Sequence, residues 1–426
     1  MSVLLVLQGG EHAGALEQRR DGRLTFTYLD DWRHTEGATP LSLSMPLARA
    51  VHGHDTVAPF LWGLLPDNGD VLGRWGRDFQ VSPANPFALL RHTGEDCAGA
   101  VQFVDPERVD AVVANGGVQP LTTDDVAAHL RALRVDPTAW HLATGGGQFS
   151  LAGAQAKLAL LHDEDGWGRP YGRVPTTHIL KPAIEGFDDH DLNEHLCLDA
   201  AHRVGLLTAE SHVETFGDER AIVLTRYDRI RTDEGWRRIH QEDLCQALAV
   251  LPASKYQHEG GPSPERILTL LRTELAKPAA DEAVTDLLEA LVLNWLLAGT
   301  DAHAKNYSLL LSGRQVRMAP LYDVASILAY PETYRDRLLL AMKIGGEYRL
   351  RDIRARHWDR LATSAGVPTE WLRERALTMA QELPQALADA AAVPAVRDLR
   401  SRMPARLVDA VSAWAADCAT TLRGAD

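Results

Sequence analysis

The stretch that most constrains this chain is the apolar run from Leu287 to Ala298, broken only by Glu289 and Asn294 and closed by Gly299. Such a run falls short of the roughly 20 apolar residues needed to span a bilayer. It is also too apolar to lie on a surface, so it predicts a helix buried on all sides. The segment after it is thereby fixed to the interior of a domain. That segment is Thr300-Asp301-Ala302-His303-Ala304-Lys305-Asn306. Two strand-like runs come next, Tyr307–Leu311 and Gln315–Ala319, around the turn Ser312-Gly313-Arg314, with Tyr322-Asp323 at the exit.

Asp301 and Asn306 stand five residues apart, the interval between Asp and Asn in the catalytic loop of protein kinases. Magnesium-dependent phosphoryl transfer needs a carboxylate near the attacking hydroxyl, hard oxygen ligands for the metal, and positive charge along the nucleotide phosphates. Asp301 supplies the first. Asn306 and Asp323, at the two ends of the hairpin, supply the second. In the plainer reading, Asp301 and Asn306 cap local turns and Asp323 caps a helix starting near Val324. An isolated DxxxxN is common; the ordered set of apolar helix, DxxxxN, hairpin and Asp favours the phosphoryl-transfer reading. For the positive charge, Lys181 ends the strand-like run from Thr176, and a lysine aimed inward from a sheet is costly to bury unless it meets an anion. Glu194, on a following helix read over Leu192–Val204 and stopped by Gly205, is its natural partner. A snorkelling edge lysine is the alternative, and Lys157 is the second choice. The small residues of Ser150-Leu151-Ala152-Gly153-Ala154-Gln155, followed by Ala156 and Lys157, let backbone N–H groups approach phosphate oxygens. They match neither Walker A nor GxGxxG. Thr225-Arg226-Tyr227 ends a strand where an adenine hinge belongs, or is an ordinary strand end.

A length of 426 residues predicts two or three domains, with boundaries expected at 1–136, 137–229 and 230–426. In the first, Val3–Leu7, Arg23–Tyr28 and Leu41–Leu47 read as strands, the last by its alternation of apolar and small polar residues. Phe60–Leu65 reads as helix, 106–120 as a connector, and Asp124–Leu133 as a helix capped by Thr122 or Thr123. The cluster Gly145-Gly146-Gly147 precedes strands at Lys157–Leu161 and Thr177–Leu180, with a turn over Asp163–Pro170 between them. Ser211–Phe216 and Ala221–Thr225 follow as strands. From Gln241 helical periodicity dominates, apart from the hairpin, and helices resume near Arg354. The net charge of −14 argues against wrapping DNA through the general surface. Arg349, Arg351, Arg354 and Arg356 form a local basic patch or, more plainly, a solvated helix face. Four dispersed cysteines with no CxxC pair argue against disulfides and zinc, and the first residues lack a basic leader; a cytoplasmic protein with no membrane span is expected. His52 with His54, and His195 with His202, lack a third ligand at sensible spacing. No GxSxG or HExxH is present.

Together these segments resemble the HipA family of bacterial toxin serine/threonine kinases over nearly the whole chain. The N-terminal third carries Ser42-Leu43-Ser44-Met45-Pro46-Leu47, Leu64-Leu65-Pro66-Asp67-Asn68 and Gly94–Gln102, similar to the family's SLSLPL, LLPDN and GxDCxGAVQ segments. The remainder carries Phe149–Lys157, Thr176–Pro182, Asn193-Glu194, His240–Gln246, Lys255-Tyr256 with Gly260-Gly261-Pro262, Gly299–Asn306 and Leu321-Tyr322-Asp323. The resemblance implies an α+β, two-lobed, protein-kinase-like fold with an added β-rich N-terminal domain and a mostly helical C-terminal lobe. It implies Asp301 as catalytic base, Asn306 and Asp323 as Mg²⁺ ligands, and Lys181 on the ATP phosphates. Ala152–Lys157 would be the phosphate loop and Thr225–Tyr227 the hinge. His303, Ala304, Lys305 and Tyr322 would line the nucleotide site. Ser150 matches the serine whose autophosphorylation pulls the loop out of the ATP site, because about two added negative charges there would repel nucleotide phosphates. Two departures stand out: Ala156 replaces the acid of the family's GAQEK, and Lys305 stands four residues after Asp301, not two as in eukaryotic protein kinases. The expected partners are a HipB-like helix-turn-helix antitoxin, through which DNA is contacted indirectly, and an aminoacyl-tRNA synthetase substrate, glutamyl-tRNA synthetase foremost. A small-molecule kinase on the same core, and a non-catalytic antitoxin-binding co-repressor, are the alternatives.

Overall fold

The period-2 runs near the N-terminus form an antiparallel sheet in which Val51–His52, Leu24–Tyr28, Glu11–Gln18, Ser2–Gln8 and Val101–Val104 lie side by side in that order. The structure, a computed structural model, describes residues 2–140, 149–184, 186–330 and 337–424. The glycine cluster Gly145-Gly146-Gly147 lies outside them. Contacts divide the chain into two compact units: 1–182, 214–253 and 308–316 in the first, and 183–213, 254–307 and 317–426 in the second.

In the first unit a second antiparallel sheet sets Glu219–Thr225, His178–Pro182, Leu158–Asp163, Gly166–Gly172 and Gly116–Pro120 side by side. One core joins the two sheets. Leu4, Phe26, Phe60, Trp75 and Phe103 belong to the same buried cluster as Leu158, Leu180, Phe216 and Val223. The sequence-read N-terminal domain and the nucleotide-lysine strands therefore share an interior. The helix Thr123–Val135 is capped by Thr122 in a capping box with Asp125, and Asn68 caps Gly69–Asp78 by accepting from Asp70 N at 2.9 Å.

Several segments differ from their sequence reading. Leu41–Leu47 is a turn closed by the single bridge Ser42–Met45, not a strand. Its small polar residues are taken up inside the protein, Ser42 facing the buried Glu242 and Ser44 Oγ donating to Gln246 O at 3.1 Å. Ser42 Oγ donates to Glu242 Oε2 at 2.5 Å and Leu43 N to Oε1 at 2.8 Å, so the period of two belongs to a turn wrapped round a carboxylate. The 106–120 connector holds a helix, Val109–Ala114, and the strand Gly116–Pro120. That strand pairs with Gly166–Gly172, which read as turn; both are Gly- and Pro-containing strands of low intrinsic β preference. The hairpin Arg229–Thr232 with Gly235–Arg238 was not anticipated. Nor was the pair Leu339–Ile344 with Glu347–Arg349, which interrupts the region read as helical. Arg349 ends a strand, Arg351 sits in a 3₁₀ turn and Arg354 precedes the helix Ala355–Ala365, so these arginines do not share one helix face.

The second unit is mainly helical: His190–Arg203, Pro264–Glu274, Ala279–Leu296, Ala355–Ala365, Thr369–Ala391 and Met403–Arg423. The apolar run is the C-terminal half of Ala279–Leu296, buried as its composition requires. Its polar atoms find partners at the edges, as with Trp414 Nε1 donating to Trp295 O at 2.9 Å. Among the described residues no helix is long and apolar enough to cross a membrane.

Candidate active site

Everything from Gly299 to Asp323 depends on how the buried helix ends. Leu296 is its last helical residue, Leu297 caps it, and Ala298 turns left-handed with φ +51°. Ala298 N donates to Trp295 O at 3.2 Å and Gly299 N to Asn294 O at 2.7 Å, closing a Schellman turn. Gly299 is needed because a Cβ there would lie 2.4 Å from Asn294 Oδ1. The same Asn294 side chain donates from Nδ2 to the Tyr307 hydroxyl at 3.1 Å. One buried asparagine thus holds both ends of the loop, its carbonyl taking Gly299 and its amide taking Tyr307. In the sequence Asn294 shows only as a break in the apolar run. A polar side chain in such a run must find a partner, and that is the signal available.

Within the loop His303 N donates to Asp301 O at 2.7 Å, Asn306 N to His303 O at 2.9 Å, and Asn306 Nδ2 to Asp301 O at 2.9 Å. Ala304–Asn306 is a 3₁₀ turn. The Asp301 side chain is exposed, while His303, Lys305 and Asn306 are buried. Committing Nδ2 to the Asp301 carbonyl leaves Asn306 Oδ1, the hard donor of that amide, for a cation. Tyr322 Oη donates to Lys305 O at 2.7 Å, fastening the exit segment to the loop. Leu321 is held on both sides, its N donating to Leu207 O at 2.9 Å and its O accepting from Ala209 N at 2.8 Å. Asp323 follows in the left-handed region, φ +53°. The nearest helical element is the 3₁₀ turn Ile327–Ala329, capped by Ser326, so Asp323 caps no helix. The structure thus brings Asp301, His303, Ala304, Lys305, Asn306, Tyr322 and Asp323 together in the second unit. Glu194 is buried on the helix His190–Arg203 of that unit.

The remaining sequence-read residues are in the first unit. Lys181 is buried on the strand His178–Pro182, opposite Ile222. Lys157 Nζ donates to Ala152 O and lies 5.1 Å from the Trp140 ring centroid, so it folds the small-residue loop back on itself. That loop is held by the PDN and GEDC segments. Ser150 N donates to Asp96 O at 2.9 Å, Ser150 Oγ to Leu64 O at 2.9 Å, Asp67 N to Gly153 O at 3.0 Å and Asn68 Nδ2 to Ala154 O at 3.5 Å. Gln155 Nε2 donates to Pro182 O at 3.1 Å.

At Thr225–Tyr227 the side chain of Arg226 turns inward. It binds Asp228 through two nitrogens, at 3.0 and 2.8 Å, and donates to Thr176 Oγ1 and Cys97 O, both at 2.9 Å. Arg229 and Arg238 approach Asp96 at 3.1 and 3.3 Å, and Gly99 N donates to Asp228 at 2.7 Å. Burial pushes the Asp96 and Asp228 carboxyls up, but the surrounding guanidinium groups outweigh it and hold both below the usual range. Burial, with Arg226 beside it, brings Arg229 down to about 10. This cluster ties the Gly94–Gln102 segment to the hinge-like one. It also uses the Arg226 N–H, which donates to Thr177 O at 2.9 Å. The histidines have local partners as well: His52 with Arg49 O, and His195 with Ser211 Oγ, each at 3.0 Å. Among the described residues no group of three or more His, Cys, Asp or Glu could hold a metal alone. A cation at Asn306 and Asp323 would take its other ligands from a nucleotide's phosphates, as Mg²⁺ commonly does.

Two family models match the chain: the HipA N-terminal domain over residues 4–104 and the HipA-like C-terminal domain over residues 149–387. A putative kinase of Sinorhizobium fredii, Y4mE, is 37% identical over 390 residues, 91% of each chain. The serine/threonine-protein kinase toxin HipA of Shewanella oneidensis is 29% identical over 377 residues, 85% of this chain and 83% of that one. The solved complex of Shewanella oneidensis HipA with HipB and operator DNA contains a chain that superposes with a TM-score of 0.83 at 27% identity, covering 97% of this chain and 96% of that one. On these matches this chain belongs to the HipA family of kinase toxins.

Proposed function

We propose that the chain is an ATP- and Mg²⁺-dependent serine/threonine protein kinase whose base is Asp301. The observation that carries this is the loop: an exposed carboxylate and a hard amide oxygen on one short turn, with both ends held by Asn294 and the exit segment bearing Asp323 fastened by Tyr322. Asn306 and Asp323 would hold the metal, whose bound form neutralises charge on the transferring phosphate. Asp301 orients the substrate hydroxyl and takes its proton. Lys181 supplies charge to the nucleotide phosphates, with Glu194 as the helix glutamate of the same pattern. Lys157, engaged with Ala152, is the weaker candidate for that role. Residues Ala152–Lys157 form the phosphate loop. Since Arg226 N–H and its guanidinium are engaged elsewhere, adenine contacts at the hinge fall to the backbone of Thr225 and Tyr227.

The finer reading comes from the family. The chain phosphorylates a protein hydroxyl, with an aminoacyl-tRNA synthetase such as glutamyl-tRNA synthetase as substrate, in the cytoplasm. A HipB-like antitoxin neutralises it and carries the DNA contact. The assembly described for the Shewanella oneidensis relative supports such a partner. Phosphate on Ser150 shuts the kinase off. Ser150 is buried with its hydroxyl on Leu64 O, so it becomes an acceptor only when the loop leaves that seat. The three-part division at 136 and 229 remains our functional partition.

The test is incubation of unmodified protein with labelled ATP and Mg²⁺ beside Asp301→Ala and Ser150→Ala, with phosphate located by mass spectrometry. Phosphate at Ser150 in the wild type and none in Asp301→Ala is the expected result. No transfer and no Mg²⁺-dependent ATP binding would replace the kinase reading with that of a non-catalytic antitoxin partner.

A further inference from the structure

A side chain outside the residues assigned above reaches the candidate base. Tyr256 donates its hydroxyl to Asp301 Oδ1, and its ring meets His303 edge-on, with centroids 4.9 Å apart and planes at 87°. The backbone behind it is a tight turn. Glu259 N and Gly261 N both donate to Tyr256 O at 3.0 Å, and Gly260 between them takes φ +94°. A Cβ at Gly261 would lie 2.3 Å from Ser254 O and 2.7 Å from Tyr256 O. Gln257 Oε1, next along the chain, accepts from Lys343 N at 2.7 Å. The Lys255-Tyr256 and Gly260-Gly261-Pro262 segments are therefore the two ends of one rigid turn, and that turn presents a phenol.

The loop's own hydrogen bonds hold the Asp301 carbonyl, not its carboxylate. An exposed aspartate whose backbone alone is fixed samples several side-chain rotamers. A carboxylate offers about four acceptor positions on two oxygens, so a phenol on Oδ1 leaves Oδ2 for an incoming hydroxyl. We propose that Tyr256 is a positioning residue that fixes the Asp301 carboxylate for the substrate hydroxyl while exchanging no proton itself. The edge-on contact with His303 aligns the ring, and the glycine turn removes the slack that would let it swing away. This rests on the phosphoryl-transfer reading of Asp301.

The experiment compares full-length wild type, Tyr256→Phe, Tyr256→Leu and Asp301→Asn in steady-state phosphorylation of casein, with melting temperatures and phosphosite mapping. Loss of the hydroxyl alone should lower kcat about tenfold, with KM for ATP changed by less than about twofold, as for lost alignment at the reacting centre. Tyr256→Phe should melt with the wild type, and Tyr256→Leu should lose at least as much kcat. Wild-type kcat in Tyr256→Phe would overturn the proposal. So would a defect confined to KM for ATP, or phosphate on Tyr256 itself, which would make the phenol an acceptor. If wild type and Asp301→Asn were equally inactive on casein and on themselves, and neither bound ATP in a Mg²⁺-dependent way, the kinase reading would fail and take this role with it. An active wild type beside an inactive Asp301→Asn isolates the question to Tyr256.

Discussion

The clustered carboxylates of the first unit and the loop carboxylate of the second are held in opposite ways. In the first unit Asp96, Asp228 and Glu242 are buried, and their partners are arginines, backbone N–H groups and the hydroxyls of Ser42 and Thr176. In the second unit Asp301 is exposed on a short turn, with one phenol on its carboxylate. Perturbed titration is often a pointer to function. Here the shifts at Asp96, Asp228 and Glu242 fall on groups that tie one sequence segment to another, through buried ion pairs at the two aspartates and hydrogen bonds at the glutamate. The group assigned to chemistry sits where a substrate can reach it. Removing a carboxylate in the first unit should therefore cost stability, and removing Asp301 should cost rate.

The largest effect that can break this comparison is at Asp301. Asp301→Ala should lower phosphoryl transfer by about 10³-fold or more, in line with loss of a positioned base and its orientation, while the melting temperature stays near wild type. A melting temperature that fell with the rate would show the loop carboxylate to be structural after all. Next comes Asp228→Ala. It leaves Arg226 and Arg229 buried with Asp96 alone where two carboxylates faced them, and breaking a buried pair from one side costs roughly 3–5 kcal/mol. Urea unfolding should show this loss, and a change under about 1 kcal/mol would mean that the cluster relaxes into solvent.

Glu242 sharpens the same contrast through pH. Burial, with Asp243 adding to it, raises its carboxyl to about 8, against the hydrogen bonds from Ser42 and Leu43 that pull the other way. The folded state therefore holds a proton that the unfolded chain has released. The stability contributed is full below the ordinary carboxyl range and is lost as pH rises to about 8, with a slope near 1.4 kcal/mol per pH unit. Glu242→Gln keeps an acceptor for Leu43 N–H and offers a donor to Ser42. Unfolding measured between pH 5.5 and 8 should lose about that much slope in the variant; an identical slope would remove Glu242 as its source.

The same contrast explains how much could be read from sequence. The loop was legible because its parts are contiguous: an apolar helix, Gly299, DxxxxN and then Asp323 follow one another, and local geometry alone brings them together. The left-handed turn at Ala298 and the double grip of Asn294 could not be read, since each depends on an exact backbone path. Asp96 lies far along the chain from Arg226 and Asp228, which stand two residues apart, and meets them only in the fold, so nothing in its position announced a cluster. Arg226 accordingly reads only as part of a hinge. Leu41–Leu47 misleads for a related reason: alternation reports that one side differs from the other, not that a carboxylate 200 residues on occupies the polar side. Gly116–Pro120 and Gly166–Gly172 carry little strand preference of their own and pair because neighbouring strands supply the register.

The smallest effect separates holding from chemistry within one residue. Ser150 is fully buried, and its hydroxyl donates to Leu64 O at 2.9 Å, while its N–H donates to Asp96 O. Ser150→Ala keeps the backbone bond and removes only the hydroxyl. One neutral hydrogen bond is worth about 1 kcal/mol, with a further cost for leaving a buried carbonyl unmet. Unfolding should therefore register a loss of about 1–2 kcal/mol, well below that at Asp228. If phosphate on Ser150 is the off-switch proposed above, the same variant should stay active through prolonged incubation with ATP while the wild type declines. A variant less stable by that amount yet longer-lived in activity separates the two roles of the hydroxyl. A variant that declines on the wild-type time course leaves Ser150 as a purely structural donor to Leu64.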